Sequence, residues 1–218
     1  MDTESTQPIQ LFGEDIAEVD EFVYLGSLMS VDGSSDAEVK ARLSKARHAF
    51  RTLRSFWRNQ NISQHTKIRI YKTNVLSSLL YGAESWKITE AVLKKLEFFQ
   101  RKCLRIILGF FWPNIITNAE LQERTSITPV TDVICRRRWR WIGHCLRMPS
   151  NANAKVALFW TPDGKRKRGR PKETWRRTVA REMKARGWSW KQLEIQAKDR
   201  NQWRSMVEAL CSSGDDEH

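Results

Sequence analysis

The sequence predicts a mainly α-helical protein: a short N-terminal β-hairpin, a three-helix thumb-like bundle, then a second small helical region. Three observations predict it. Residues 19–31 carry β-forming side chains on both sides of Leu25-Gly26-Ser27, the chain's one convincing strand signal. From residue 34 to 113 apolar residues recur at steps of three and four, the period of a helix with one buried stripe. Ten tryptophans, with Trp175, Trp188, Trp190 and Trp203 gathered near the C-terminus, supply enough large side chains for a small second core.

Taken in order, residues 1–16 read as a disordered leader. Met1 to Phe22 holds seven acidic residues and no Lys or Arg, the opposite of a secretory or transit signal. The hairpin occupies 17–33 and ends at Asp32-Gly33. A lone hairpin is marginal in water, so it must dock onto helices or onto a partner.

The bundle spans 34–113. Ser34, Ser35 and Asp36 offer N-caps for its first helix, whose inward residues are Val39, Leu43, Ala46, Phe50, Leu53 and Trp57. The opposite face carries Lys40, Arg42, Lys45, Arg47, Arg51, Arg54 and Arg58, a set that suits a phosphate backbone or plain solvation. Ser63 caps the second helix, with Ile68, Tyr71, Val75 and Leu79 inward. Thr89 caps the third, built on Val92, Leu96, Phe99, Cys103, Leu104 and Ile107 and stopped by Gly109 and Pro113. Short connections imply antiparallel neighbours.

Residues 114–150 form an Arg/Trp-rich helical segment: a short helix over 119–124, then one from Val130 to Met148. The second has Val133, Ile134, Trp141, Ile142 and Cys145 inward and carries Arg136, Arg137, Arg138 and Arg140. Trp139 falls off that stripe, where an exposed indole among arginines can stack a base.

Residues 151–171 are assigned to a linker and basic arm. Of the fourteen residues Gly164 to Arg177, eight are Lys or Arg, against one Glu173. Gly169 and Pro171 keep Lys165, Arg166, Lys167, Arg168 and Arg170 from being helical. Pro171, followed by Lys172, marks the next helix start. Residues 172–211 then form a small Trp-rich helical region, with Ser189 and Asp199 capping its last two helices and a loose tail over 212–218.

Composition excludes several classes. With 38 Lys+Arg against 25 Asp+Glu, the chain carries a formal +13. Nothing approaches eighteen consecutive apolar residues, so no membrane span or membrane partner is expected. Cys103, Cys135, Cys145 and Cys211 form no CxxC pair, which disfavours zinc and suits a reducing compartment. The adjacent acid pairs Glu14-Asp15 and Asp20-Glu21 do not lie in a buried strand, where carboxylates converging on Mg²⁺ would. No phosphate loop, nucleophile elbow or HExxH is present. Catalytic residues, metal ligands and cofactors are therefore not indicated. A nuclear nucleic-acid binder is.

Several words in the chain occur together elsewhere. They are Phe22-Val23-Tyr24-Leu25-Gly26-Ser27 and Asp32-Gly33-Ser34, then Leu80-Tyr81-Gly82-Ala83-Glu84-Ser85-Trp86, then Trp139-Arg140-Trp141-Ile142-Gly143-His144-Cys145-Leu146-Arg147-Met148. Gly169-Arg170-Pro171 with Trp175, and Asp199-Arg200 with Trp203, follow. In that order the series resembles the C-terminal part of the reverse transcriptase of non-LTR, LINE-type retrotransposons, especially RTE-like ones, over nearly the whole chain. The resemblance implies that Tyr24, Leu25 and Gly26 belong to a primer grip. It implies that the helices from Asp36 to about Trp112 are the thumb, and that a C-terminal extension follows. Implied partners are an RNA–DNA hybrid or DNA duplex, and a palm and fingers segment supplied by another chain. The aromatic-x-Asp-Asp motif that holds Mg²⁺ in the parent polymerase is absent, so polymerase activity is not carried over. Arg168-Gly169-Arg170-Pro171 also resembles an AT-hook core, which implies a host DNA-binding regulator reading the A·T-rich minor groove as the alternative.

Overall fold

The computed structural model of the chain describes residues 10–30, 35–160 and 173–212. It is mainly helical, preceded by short N-terminal strand pairs. Leu25 and Gly26 both have positive φ (48° and 79°), the two-residue turn whose twist matches a hairpin. It joins strands Glu21–Tyr24 and Ser27–Ser30, antiparallel, with Tyr24 opposite Ser27 and Phe22 opposite Met29.

A smaller pair precedes it. Gln10–Leu11 pairs with Glu14–Asp15 around Phe12-Gly13 (φ 53° and 88°), and Gln10 Nε2 donates to Asp15 Oδ1 at 2.8 Å. Residues 10–16 therefore depart from the expected leader. Two-residue strands carry no alternation to read, and the signal lay in the Phe-Gly turn alone.

Helix α1 (Asp36–Thr52) is prolonged by the short α2 (Arg54–Arg58). Ser35 stands at the N-cap but does not cap α1. Its Oγ instead accepts from the Lys87 backbone N–H at 2.9 Å, tying the start of α1 to the chain entering α5 (Glu90–Leu108). The expected second helix is composite: α3 (Gln64–Ile70), a π-helical stretch over Tyr71–Leu76, and α4 (Ser77–Leu79). Three hydroxyls there bond back into the helix: Thr73 to Arg69 O, Ser77 to Thr73 O and Ser78 to Asn74 O. Such side chains compete with the backbone ladder and favour a widened turn. Ser63 and Thr89 cap α3 and α5 as the sequence predicts, accepting from Thr66 N and Val92 N.

After α6 (Asn118–Thr125), α7 (Val130–Leu146) crosses from one core to the other. Val130 and Ile134 close the first core, with Leu43, Phe50, Tyr71, Leu79 and Leu96. Trp139, Ile142, Cys145 and Leu146 open the second, completed by Leu158, Val179, Met183, Leu193, Trp203 and Val207. The second core is built by α8 (Asn153–Phe159), α9 (Trp175–Ala185), α10 (Trp190–Gln196) and α11 (Arg200–Ser212).

Two boundaries are corrected. Within 151–171, Asn153–Phe159 is helical rather than linker, because Leu158 finds a buried seat. Helix α9 starts at Trp175, not at Pro171, because Thr174 Oγ1 accepts from Arg177 N and supplies the cap. Ser189 forms a capping box with Gln192, and Asp199 Oδ1 accepts from Asn201 N and Gln202 N.

Gly143 fixes how close α11 can come to α7. A Cβ built there would lie 2.2 Å from Trp203 Nε1, which donates to Trp139 O at 3.1 Å. Gly143→Ala is expected to displace Trp203 and cost about 3 kcal/mol or more from overpacking and the lost bond, read by urea denaturation.

Tyr71 is fully buried and its hydroxyl finds no partner among the described residues. Burial, with Cys103 beside it, holds its pKa well above the usual tyrosine range. Burial likewise pushes the Cys103 thiol up to about 12, against the partly opposing fields of Lys102 and Arg47. Tyr71→Phe is expected to stabilise the fold by about 1 kcal/mol by removing an unsatisfied group. Both groups stay protonated in the native state where the unfolded chain can ionise. Stability should therefore fall as pH rises above about 9, and fall less steeply in Tyr71→Phe.

Candidate nucleic-acid interface

The hairpin is held at its turn and free along its outer strand. Arg42 Nη2 donates to Gly26 O at 2.5 Å and its Nε to Glu38 Oε1 at 2.6 Å. The other oxygen of Glu38 accepts from Leu28 N at 2.6 Å. This ion pair is buried, each side chain 7% exposed, and the guanidinium lies 4.5 Å over the Tyr81 ring. Tyr81 Oη donates to Leu25 O at 3.1 Å. The clamp engages strand Ser27–Ser30 and the turn, so Phe22, Val23, Tyr24 and Leu25 stay exposed. An open cleft of about 780 Å³ lies beside it, lined by Tyr24, Leu25, Ser77, Tyr81, Glu84 and Arg137 among others. Arg42, counted by sequence with the outward basic set, is thus internal to the fold, because the hairpin seats on that side of α1.

The rest of that set is outward. Lys40, Lys45, Arg47, Arg51, Arg54 and Arg58 are all exposed. Lys40, Arg47 and Arg51 fall on one face of α1 at helical spacing, and Arg54 and Arg58 carry the stripe through α2. At 1.5 Å per residue Lys40 and Arg51 are about 17 Å apart along the axis. Among the described residues none of the five meets a carboxylate. The signal was in the sequence: no Asp or Glu stands between Glu38 and Glu84, an interval holding ten Lys and Arg.

The arginines of α7 divide differently. Arg138, 3% exposed, donates to Glu182 Oε1 at 2.5 Å, and Trp139 Nε1 donates to Glu182 Oε2 at 2.7 Å. Trp139 is fully buried, edge-on to Trp188 with ring centroids 5.3 Å apart. The expectation of an exposed indole that stacks a base is therefore corrected. The sequence suggested one buried stripe, but α7 buries a second on the side where α9 and α11 approach. Arg137 donates to Leu80 O, Arg136 is half-buried, and Arg140 is exposed, 3.9 Å from Glu208. The basic arm, Lys165, Arg166, Lys167, Arg168, Arg170 and Lys172, lies outside the described residues.

The words quoted from the sequence join one another. Tyr81 of the second reaches Leu25 of the first. Arg137, just before the third, binds Leu80 of the second. Trp175 Nε1 donates to Glu84 O at 2.8 Å, and Trp203 to Trp139 O. Gly82, at φ 72°, lets the second word turn beside the hairpin, where a Cβ would come within 3.3 Å of Ser27 Oγ. The series is a chain of tertiary contacts running from hairpin to last helix. Among the described residues no three His, Cys, Asp or Glu side chains gather as metal ligands, and no helix is long and apolar enough to cross a membrane.

Comparison with known proteins gives two matches. A family model described as a domain of unknown function (DUF6451) matches residues 49–81, from the end of α1 to Tyr81. Over 203 residues the chain is 21% identical to a putative uncharacterized transposon-derived protein of Caenorhabditis elegans, which covers 87% of this chain and 71% of that protein. No solved structure matches significantly. The likeness is consistent with a transposon origin.

Removing one partner of the Glu38–Arg42 pair strands the other in a buried site. Arg42→Met is expected to cost about 3–5 kcal/mol. It should also speed hydrogen exchange at the Leu28 amide, while the double variant with Glu38→Gln recovers part of the stability.

Proposed function

We propose that the chain is the nucleic-acid-binding C-terminal part of a retrotransposon reverse transcriptase. It grips template–primer or target DNA through phosphate contacts. The observation that carries this reading is the acid-free run between Glu38 and Glu84, folded so that Lys40, Arg47, Arg51, Arg54 and Arg58 line one surface and, among the described residues, pair with no carboxylate. A polyanion supplies the missing charge and releases its own counterions on binding.

The neighbouring hairpin fits the same reading. Its turn is fixed by Arg42 and Tyr81 while Tyr24 and Leu25 border the cleft, so a strand end seated there would meet a rigid edge. Transposon ancestry enters from the Caenorhabditis elegans relative, and reverse transcriptase from the ordered words. A palm and fingers segment would supply the Mg²⁺ site and the chemistry. On this reading the chain works in the nucleus.

Fluorescence anisotropy on a blunt duplex and on an RNA–DNA hybrid tests it. With about five phosphates neutralised, affinity should fall roughly 500-fold between 50 and 200 mM salt. Arg47→Ala, Arg51→Ala and Arg54→Ala combined should lower the logarithmic salt slope by about 3. An unchanged slope, or no binding to either probe, would exclude the reading.

A further inference from the structure

The outer face of α5 and the loop beyond it carry aromatic side chains that the fold does not use. Trp112 is 90% exposed, Ile115 86%, Phe98 65% and Phe111 56%. Phe98 is a helix residue, and Lys95 and Lys102, also exposed, share its face at steps of three and four. From Phe98 to Ala119 there is no acidic residue, while Arg101, Lys102 and Arg105 stand in that interval. Arg105 Nη2 donates to Asn118 Oδ1 at 2.7 Å and to Ile116 O at 3.3 Å, tying the return of the loop to α5. Trp112 is thus presented on a tethered loop.

The topology puts this loop at one end of the basic stripe. Ser35 and Lys87 meet where α1 and α5 begin, and about a dozen residues farther on Arg47 lies within electrostatic reach of Cys103. The two helices therefore run in the same direction, and α2 packs against α5. The α5–α6 loop follows the end of α5, at the same end of the bundle as α2, which carries Arg54 and Arg58.

Exposed aromatics alone mark an interaction surface of unspecified kind. Here the cationic setting selects the occupant. Rings flanked by the exposed Lys95 and Lys102, with the neighbouring Glu97 already paired to Arg101, match how proteins hold unpaired nucleotides: bases stack on the rings while cations track the backbone. We infer that Phe98 and Trp112 form a stacking track for a single-stranded segment continuous with the duplex on α1 and α2. The ligand is then a duplex with an unpaired extension rather than a blunt one. The inference rests on the phosphate-face reading and adds the class of end that the surface recognises.

The test compares the full chain on a blunt duplex and on the same duplex with a short single-stranded overhang, by anisotropy at fixed salt. Wild type should prefer the overhang. Trp112→Ala should weaken overhang binding about tenfold and blunt binding less than twofold. Trp112→Phe should keep most of the affinity, and Phe98→Ala should repeat the selective loss. Equal losses on both probes, or none, overturn the track. Wild type that binds both alike with a steep salt dependence sinks the track alone, whereas binding to neither sinks the phosphate face as well. If Trp112→Ala changes sedimentation from dimer to monomer and leaves both affinities intact, the aromatics serve a second copy of this chain and the inference is wrong.

Discussion

Trp203 lying across α7 at Gly143 is the contact on which the two halves of this molecule depend. The indole reaches the Trp139 carbonyl only because position 143 has no side chain to hold it off. Trp139, so approached, turns its own N–H to Glu182, and Glu182 neutralises Arg138. One missing methyl thus decides where α11 sits, what Trp139 faces and how a buried arginine is paired. Because α7 also closes the first core through Val130 and Ile134, an error at Gly143 would reach both cores.

The same device recurs through the fold. Leu25 O accepts a hydrogen bond from Tyr81, Gly26 O from Arg42, Leu80 O from Arg137, Glu84 O from Trp175 and Ala197 O from Arg147. Most of these carbonyls stand at turns or helix ends, where the backbone leaves acceptors without a ladder partner. Long side chains with directional donors fill them from distant elements. That accounts for a chain rich in Trp and Arg that still buries few charges: the guanidinium and indole groups are spent on backbone oxygens that burial would otherwise leave unsatisfied.

Much of this was legible in the sequence, and the misses share a cause. The hairpin, the helices and the Ser63, Thr89, Ser189 and Asp199 caps follow from local signals: turn chemistry, period and capping residues. Trp139, Arg42 and Arg138 were misplaced because a periodicity argument assigns each helix one inner face. Helix α7 has two, and α1 buries Arg42 under a hairpin whose docking side no local pattern records. The π-helical stretch was hidden for a different reason. Its hydroxyl-to-carbonyl bonds depend on rotamers, and Thr73, Ser77 and Ser78 would read the same in a regular helix. On the candidate interface, the sequence could list the basic residues of α1 but not separate the one consumed internally from those displayed.

That separation is what gives the net charge a direction. A formal +13 spread evenly would favour weak, unspecific attraction and nothing more. Here Arg42 and Arg138 are neutralised inside the fold, and Arg105, Arg137 and Arg147 are bound to backbone carbonyls. Farther along, Lys94, Arg101 and Arg124 each have a carboxylate one turn away. Past Asp36 and Glu38 in its first turn, α1 and the following α2 offer no acid to do this, and among the described residues none pairs with Lys40, Arg47, Arg51, Arg54 or Arg58. Their repulsion is tolerable on an exposed surface screened by salt, and it is relieved when a row of phosphates replaces the diffuse counterions. The fold thus turns a composition into a surface by using up the cations that do not belong to it.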